Sequence, residues 1–117
     1  LVKDGKLITE AHNNPIYKND ATAHAEIEII RSAGKILKNY RLNNTTIYVT
    51  LEPCIMCFGA LMNARVKRIV YGACNSKNYK DRELRNLDYI KNQIDISGGV
   101  LQYECSQMLK NFFKIRR

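Results

Sequence analysis

Thr46-Ile47-Tyr48-Val49-Thr50-Leu51-Glu52-Pro53-Cys54-Ile55-Met56-Cys57 is the stretch from which the rest of the chain can be read. Thr46 to Thr50 is rich in β-branched and aromatic residues and predicts a strand. Pro53 suits the first position of a helix, where its missing N–H is no loss and its φ is already helical, so a helix is expected from Pro53 to about Ala64. A strand turning straight into a helix is the corner at which α/β proteins tend to build their sites. Three residues apart on a helix, Cys54 and Cys57 share a face and can reach one ion. A helix N-terminus also favours the thiolate, the form that binds metal.

A CxxC pair alone equally describes a redox dithiol or half of a zinc knuckle. A second stretch, His24-Ala25-Glu26, narrows the reading. His24, Cys54 and Cys57 make the His/Cys set of a catalytic zinc, which keeps a fourth tetrahedral position for water. In a regular helix Glu26 points roughly away from His24, so one ion does not bind both. The carboxylate is then free to carry protons beside the activated water, a task that a closed structural site does not require. Two thiolates and a neutral imidazole cancel the charge of the dication, so water is acidified less than at an all-histidine site and a separate base becomes useful. Joined, the two stretches read H-x-E…P-C-x-x-C, recognised as the general signature of zinc nucleobase deaminases rather than derived from the spacing.

The 117 residues, 45% of them hydrophobic, suit one compact domain spanning 1–117. Four cysteines are too few for a disulfide framework, and two are assigned to the metal. Cys74 and Cys105 read as ordinary thiols, and a reduced, cytoplasmic setting is expected. No charged leader precedes an apolar core, and no apolar run reaches the ~18 residues of a membrane span. Nineteen basic against 11 acidic residues give a formal charge of +8, which suits a polyanionic partner and equally a surface built for solubility.

Asp4-Gly5 between Leu1-Val2 and Leu7-Ile8 predicts an opening hairpin. Residues 11 to 21 read as a polar loop, in which Asn13 either forms a turn or presents its amide to a base edge. Thr22 is the expected cap of a helix from His24 to about Asn39, with Ala25, Ile29, Ile30, Ala33, Ile36 and Leu37 as its buried stripe. The helix from Pro53 is apolar on nearly every side, so either the core or a second subunit covers it. Arg68 to Tyr71 reads as a strand ended by Gly72, and residues 74 to 83 as a polar loop containing Asn75 and Lys77. Leu84 to Ile90 suggests a short helix, Ile94 to Ser97 a last strand, and Leu101 to Arg116 a last helix. Cations at that helix's end, Lys114, Arg116 and Arg117, complement its dipole. Phe112 and Phe113 project about 100° apart, so one is expected in the core and the other free to stack on a base.

These residues together carry a resemblance. Asn13 with Pro15-Ile16, Asp20-Ala21-Thr22-Ala23-His24-Ala25-Glu26, Tyr40-Arg41-Leu42, Tyr48 through Cys57, Gly59-Ala60, Tyr71-Gly72-Ala73 and Phe112-Phe113 resemble, nearly end to end, the bacterial tRNA-specific adenosine deaminases of the cytidine deaminase-like superfamily. The metal motif marks only the superfamily. Thr-Ala-His-Ala-Glu, Leu-Glu-Pro-Cys-x-Met-Cys and the Phe-Phe segment mark the tRNA enzymes.

The resemblance implies a three-layer α/β/α fold with a five-stranded mixed sheet and helices on both faces. It implies one Zn2+ per subunit and a homodimer through the helix around Phe58 to Ala64. The reaction implied is adenosine to inosine at the wobble position of a tRNA anticodon stem-loop, by attack of Zn-bound hydroxide on a flipped-out adenine with Glu26 as proton shuttle. Family correspondence places Asn13 and the backbone of Ala25 and Pro53 around the base. It places Asn75, Lys77, Phe113, Lys114, Arg116 and Arg117 along the RNA. Relatives commonly carry Asp at position 75 and an indole at position 12, where this chain has Asn75 and His12. They also have an N-terminal helix and a longer first strand, and this sequence, opening at Leu1, is expected to lack that helix and the start of that strand. Two rivals stand beside this reading. A deaminase of a free nucleoside, nucleotide or base sits less well with the charge of +8, and a non-catalytic, zinc-stabilised RNA-binding module has no need of Glu26.

Overall fold

The computed structural model describes residues 1–75, 83 and 86–116, with Tyr89 and Arg116 described by their backbone alone. Asp4 and Gly5 both adopt positive φ, the pair of conformations that a tight two-residue turn demands. They join β1 (Val2–Lys3) to β2 (Lys6–Leu7), which pair antiparallel. The polar stretch that follows is not all loop. Pro15 opens a single helical turn, α1 (Pro15–Lys18), and Asn19 closes it in the left-handed conformation that asparagine tolerates.

Helix α2 (Ala25–Leu37) starts one residue later than its sequence suggests, and Thr22 is not its cap. The backbone N–H and hydroxyl of Thr22 both donate to Asp20 Oδ1. Those bonds, with Arg31 3.5 Å away, hold the Asp20 carboxyl below its usual range. His24 is the cap residue, in extended conformation. Ile29 and Ala33 of α2 are buried, whereas Ile36, in the last turn and expected in the stripe, is 54% exposed.

Strand β3 (Thr45–Leu51) pairs antiparallel with β1 and parallel with β4 (Arg68–Ala73). Gly72 does not end β4; it lies inside the strand, where its missing side chain makes room for Cys105. After α4 (Asp88–Lys91), β5 (Asp95–Ser97) pairs parallel with β4, and α5 (Gln102–Arg116) closes the chain. The order β2-β1-β3-β4-β5 makes a mixed five-stranded sheet. Register assigns the layers. Ile47 and Ile69 are paired and share a core with Ile29, Phe58 and Leu61, so α2 and α3 (Ile55–Asn63) cover one face. Gly72, three residues on from Ile69, faces the other side, where Cys105 of α5 meets it. Among the described residues no helix is long and apolar enough to cross a membrane.

Candidate metal and deaminase site

Two helix N-termini meet at the end of β3. The chain leaves Leu51 and passes the buried Glu52 and Pro53 to Cys54, which caps α3 in an extended conformation (φ −69°, ψ 170°). Pro53 is therefore ahead of the cap rather than at the first helical position, and the helix begins at Ile55. Cys54 and Cys57 are cap and third helical residue, the two positions whose side chains face each other across a helix entrance. His24 caps α2 in the same way (φ −70°, ψ 156°). Because His24 is extended, the regular-helix offset between it and Glu26 does not apply. Glu26 lies in the first turn of α2, 9% exposed, with its carboxylate in hydrogen-bonding reach of Cys57.

The donor atoms of His24, Cys54 and Cys57 all lie within 4.8 Å of one another. His24 Nδ1 is 3.6 Å from Cys54 Sγ and 3.5 Å from Cys57 Sγ. A tetrahedral zinc with Zn–S of about 2.3 Å and Zn–N of about 2.0 Å separates nitrogen from sulfur by about 3.5 Å. The donor set therefore fits that ion, with Nδ1 as the ligating nitrogen and the ring proton left on Nε2. Burial pushes the Cys57 thiol well above its ordinary value of 9.0, and the hydrogen bond and charge of Glu26, then Cys54, push it further. The positive ends of α2 and α3 act in the opposite sense but are fractional charges. A dication is what this pocket needs to hold Cys57 as thiolate.

The remaining expected residues fall into four groups. Asn13 and Ala25 are brought together: Asn13 Oδ1 accepts the Ala25 N–H at 2.8 Å, so the amide oxygen caps α2. Asn75 sits just past β4, its N–H donating to Glu52 Oε1 at 2.9 Å. Lys77 and Arg117 lie outside the described residues, as does the side chain of Arg116. Phe113 and Lys114 are on the exposed end of α5. Phe112 and Phe113 form an edge-to-face pair (centroids 5.3 Å apart, 79° between planes) and are 49% and 56% exposed, so neither is in the core. Phe58 and Leu61 of α3 face inward, while Ile55 is 44% exposed and Gly59 has nothing within 4 Å of an added Cβ. Glu52, buried beside this corner, has only one signal in the sequence, a carboxylate between a strand and the proline ahead of α3.

The family model of MafB19-like deaminases matches residues 1–117. A tRNA-specific adenosine deaminase of Buchnera aphidicola (from Schizaphis graminum) is 46% identical over 119 residues, covering all of this chain and 79% of that protein. The chain belongs to the MafB19-like deaminases, among the tRNA-specific adenosine deaminases. A solved structure from a study of A-to-I editing by tRNA:A34 deaminases superposes with a TM-score of 0.82 at 36% identity, covering 91% of this deaminase and 79% of that chain. A guanine deaminase from Bacillus subtilis is 42% identical over 74% of this chain and 53% of its own, with a TM-score of 0.61. The fold thus also serves an enzyme named for a free base, and the metal motif by itself does not choose the substrate.

Proposed function

We infer that this deaminase converts adenosine to inosine at the wobble position of a tRNA anticodon, consuming water and releasing ammonia. The observation that carries the substrate class is the 46% identity running the whole length of the chain to a tRNA-specific adenosine deaminase. The observation that supports the chemistry is the converging His24, Cys54 and Cys57 with Glu26 beside them. The reading takes residues 1–117 as one zinc-dependent domain working in the cytoplasm, where its RNA is found.

His24, Cys54 and Cys57 would hold Zn2+, one per subunit. When bound, zinc supplies a Lewis acid that makes water a nucleophile near neutral pH. The other steps belong to this chain's own groups. Glu26 takes one proton from the attacking water and delivers it to N1 of the adenine, then takes the second from the hydroxyl formed on C6 and gives it to the amino group that leaves. The NH2 of Asn13 and the backbone around Ala25 and Pro53 orient the base. Asn75 and Lys77 are read as following the RNA strand, and Phe113, Lys114, Arg116 and Arg117 as supplying an aromatic face and cations to the anticodon loop. The open stripe of α3 at Ile55 and Gly59 supports a homodimer through the helix around Phe58 to Ala64.

The test is incubation with an anticodon stem-loop bearing adenosine at the wobble position, with the product read by sequencing. Inosine that requires both zinc and Glu26 is expected; its absence overturns the reading. The guanine deaminase likeness favours a second reading, action on a free base, and salt separates the two. KM for an RNA rises steeply with ionic strength, and KM for a neutral base does not.

A further inference from the structure

We propose that Glu52 is a positioning residue for this deaminase, setting the Ala73-Cys74-Asn75 exit of β4 against the Cys54–Cys57 corner. The proposal rests on the function inferred above and names a residue to which that reading gives no part.

Glu52 is 2% exposed, the most buried carboxylate among the described residues. Burying a carboxylate costs several kcal/mol unless its oxygens are satisfied, so a carboxylate kept at such a place is held by specific partners. One partner is the Asn75 backbone, whose N–H donates to Glu52 Oε1 at 2.9 Å. The Glu52 N–H donates in turn to the Ala73 carbonyl at 2.8 Å, one residue beyond the last paired residues of β3 and β4, Leu51 and Ala73. Main chain and side chain of one residue therefore grip both ends of the Ala73-Cys74-Asn75 segment.

The consequence follows from where the two grips lie. On one side Glu52 is two residues from Cys54, whose sulfur is in the metal cluster. On the other, β4 has ended at Ala73, two residues before Asn75. Without the carboxylate, the Asn75 end of this exit loses its bond to the corner. A hydrogen bond in a buried place is directional, which suits it to fix where Asn75 lies against this corner. His24, Cys54 and Cys57 are held by the caps of α2 and α3, so loss of this bond leaves the metal set in place and loosens the substrate side.

The test compares Glu52→Ala and Glu52→Gln in the zinc-loaded protein. Glu52→Gln keeps an oxygen at Oε1; Glu52→Ala removes it. For Glu52→Ala we expect one zinc per chain, a KM for the stem-loop raised at least about tenfold and a kcat within about threefold, taking 1.4 kcal/mol per tenfold change. Glu52→Gln should restore KM to within about threefold of the parent. Asn75→Pro, which lacks the donor, should raise KM as Glu52→Ala does, and combining the two should add little. Asn75→Ala, which keeps the N–H, should instead add to Glu52→Ala. Amide exchange at Asn75 should be slow in the parent and fast in Glu52→Ala; this readout stands even if the stem-loop is not a substrate, so failure of the function and failure of the contact are told apart. Unchanged KM and unchanged exchange in Glu52→Ala overturn the proposal, as does loss of zinc from both Glu52 variants, which would make Glu52 a support of the metal corner only.

Discussion

Gly72→Ala should push α5 off the sheet. A Cβ added at Gly72 would lie 2.2 Å from Cys105 Sγ, 2.7 Å from Cys105 Cβ and 3.0 Å from the Thr50 carbonyl oxygen. Rotation about χ1 can swing the sulfur aside, but neither the Cys105 Cβ nor the Thr50 carbonyl can move without its backbone. An ordinary carbon–carbon contact needs about 3.5–4.0 Å, so α5 must retreat by about 1 Å. A gap of that size forfeits roughly a quarter to a half of the dispersion energy across it. Overpacking of this kind costs about 1–3 kcal/mol. For a chain of this length that is a fall in Tm of roughly 4–12 °C. Urea and thermal unfolding measure it. KM for the stem-loop should rise too, because α5 carries Phe113 and Lys114. Cys105→Gly removes both clashing atoms of the helix and should recover most of the loss, apart from about 1 kcal/mol for a glycine inside a helix. A Gly72→Ala protein as stable as the parent, or strict additivity in the double variant, would refute the close approach of α5 to β4.

Glu26→Gln should retain one zinc per chain yet lower kcat by about 10²–10⁴-fold, the range for loss of a general acid–base group; metal analysis beside a single-turnover assay checks both halves. Asn13→Ala removes the acceptor of the Ala25 N–H and should cost about 1 kcal/mol in urea unfolding, as loss of a helix cap does, with a raised KM. The Cys57 thiol sits above its ordinary value of 9.0 in the folded protein, so its contribution to the metal-free form is present below pH 9 and lost as pH rises past it. Melting curves of chelator-treated protein should therefore fall in Tm above pH 9, while zinc-loaded protein, whose thiolate is already formed, should not. Zinc affinity should show the reverse trend and weaken as pH drops, because loading expels thiol protons.

The convergence of His24, Cys54 and Cys57 was legible because the chemistry they suit is carried by residue type: a histidine and two cysteines in that pattern have few other uses. The strands were legible for a similar reason. Thr46 to Thr50 and Arg68 to Tyr71 are short, β-branched or aromatic, and bounded by turn residues. Helix entrances were harder. Pro53 is compatible with the first helical position and with the place before the cap, and only the tertiary position of Cys54 decides between them. Likewise Thr22 is a fair cap by composition, but its hydroxyl is turned to Asp20 and a distant side chain, Asn13, accepts from the helix instead. Gly72 read as a stop because a glycine carries no packing information of its own; the reason for it lies 33 residues away, at Cys105. Phe112 and Phe113 follow the same logic in reverse. Their apolarity predicted a core contact, and their position on the exposed end of α5 denies one.

Zinc K-edge X-ray absorption of the loaded protein tests the site most directly. Two sulfur donors at about 2.3 Å, one imidazole nitrogen at about 2.0 Å and one light donor exchangeable with solvent are expected, unchanged in Glu26→Gln and reduced by one sulfur in Cys57→Ala. A shell of four protein donors, or one that loses a ligand in Glu26→Gln, would contradict an open cation held by His24, Cys54 and Cys57 with Glu26 standing beside it.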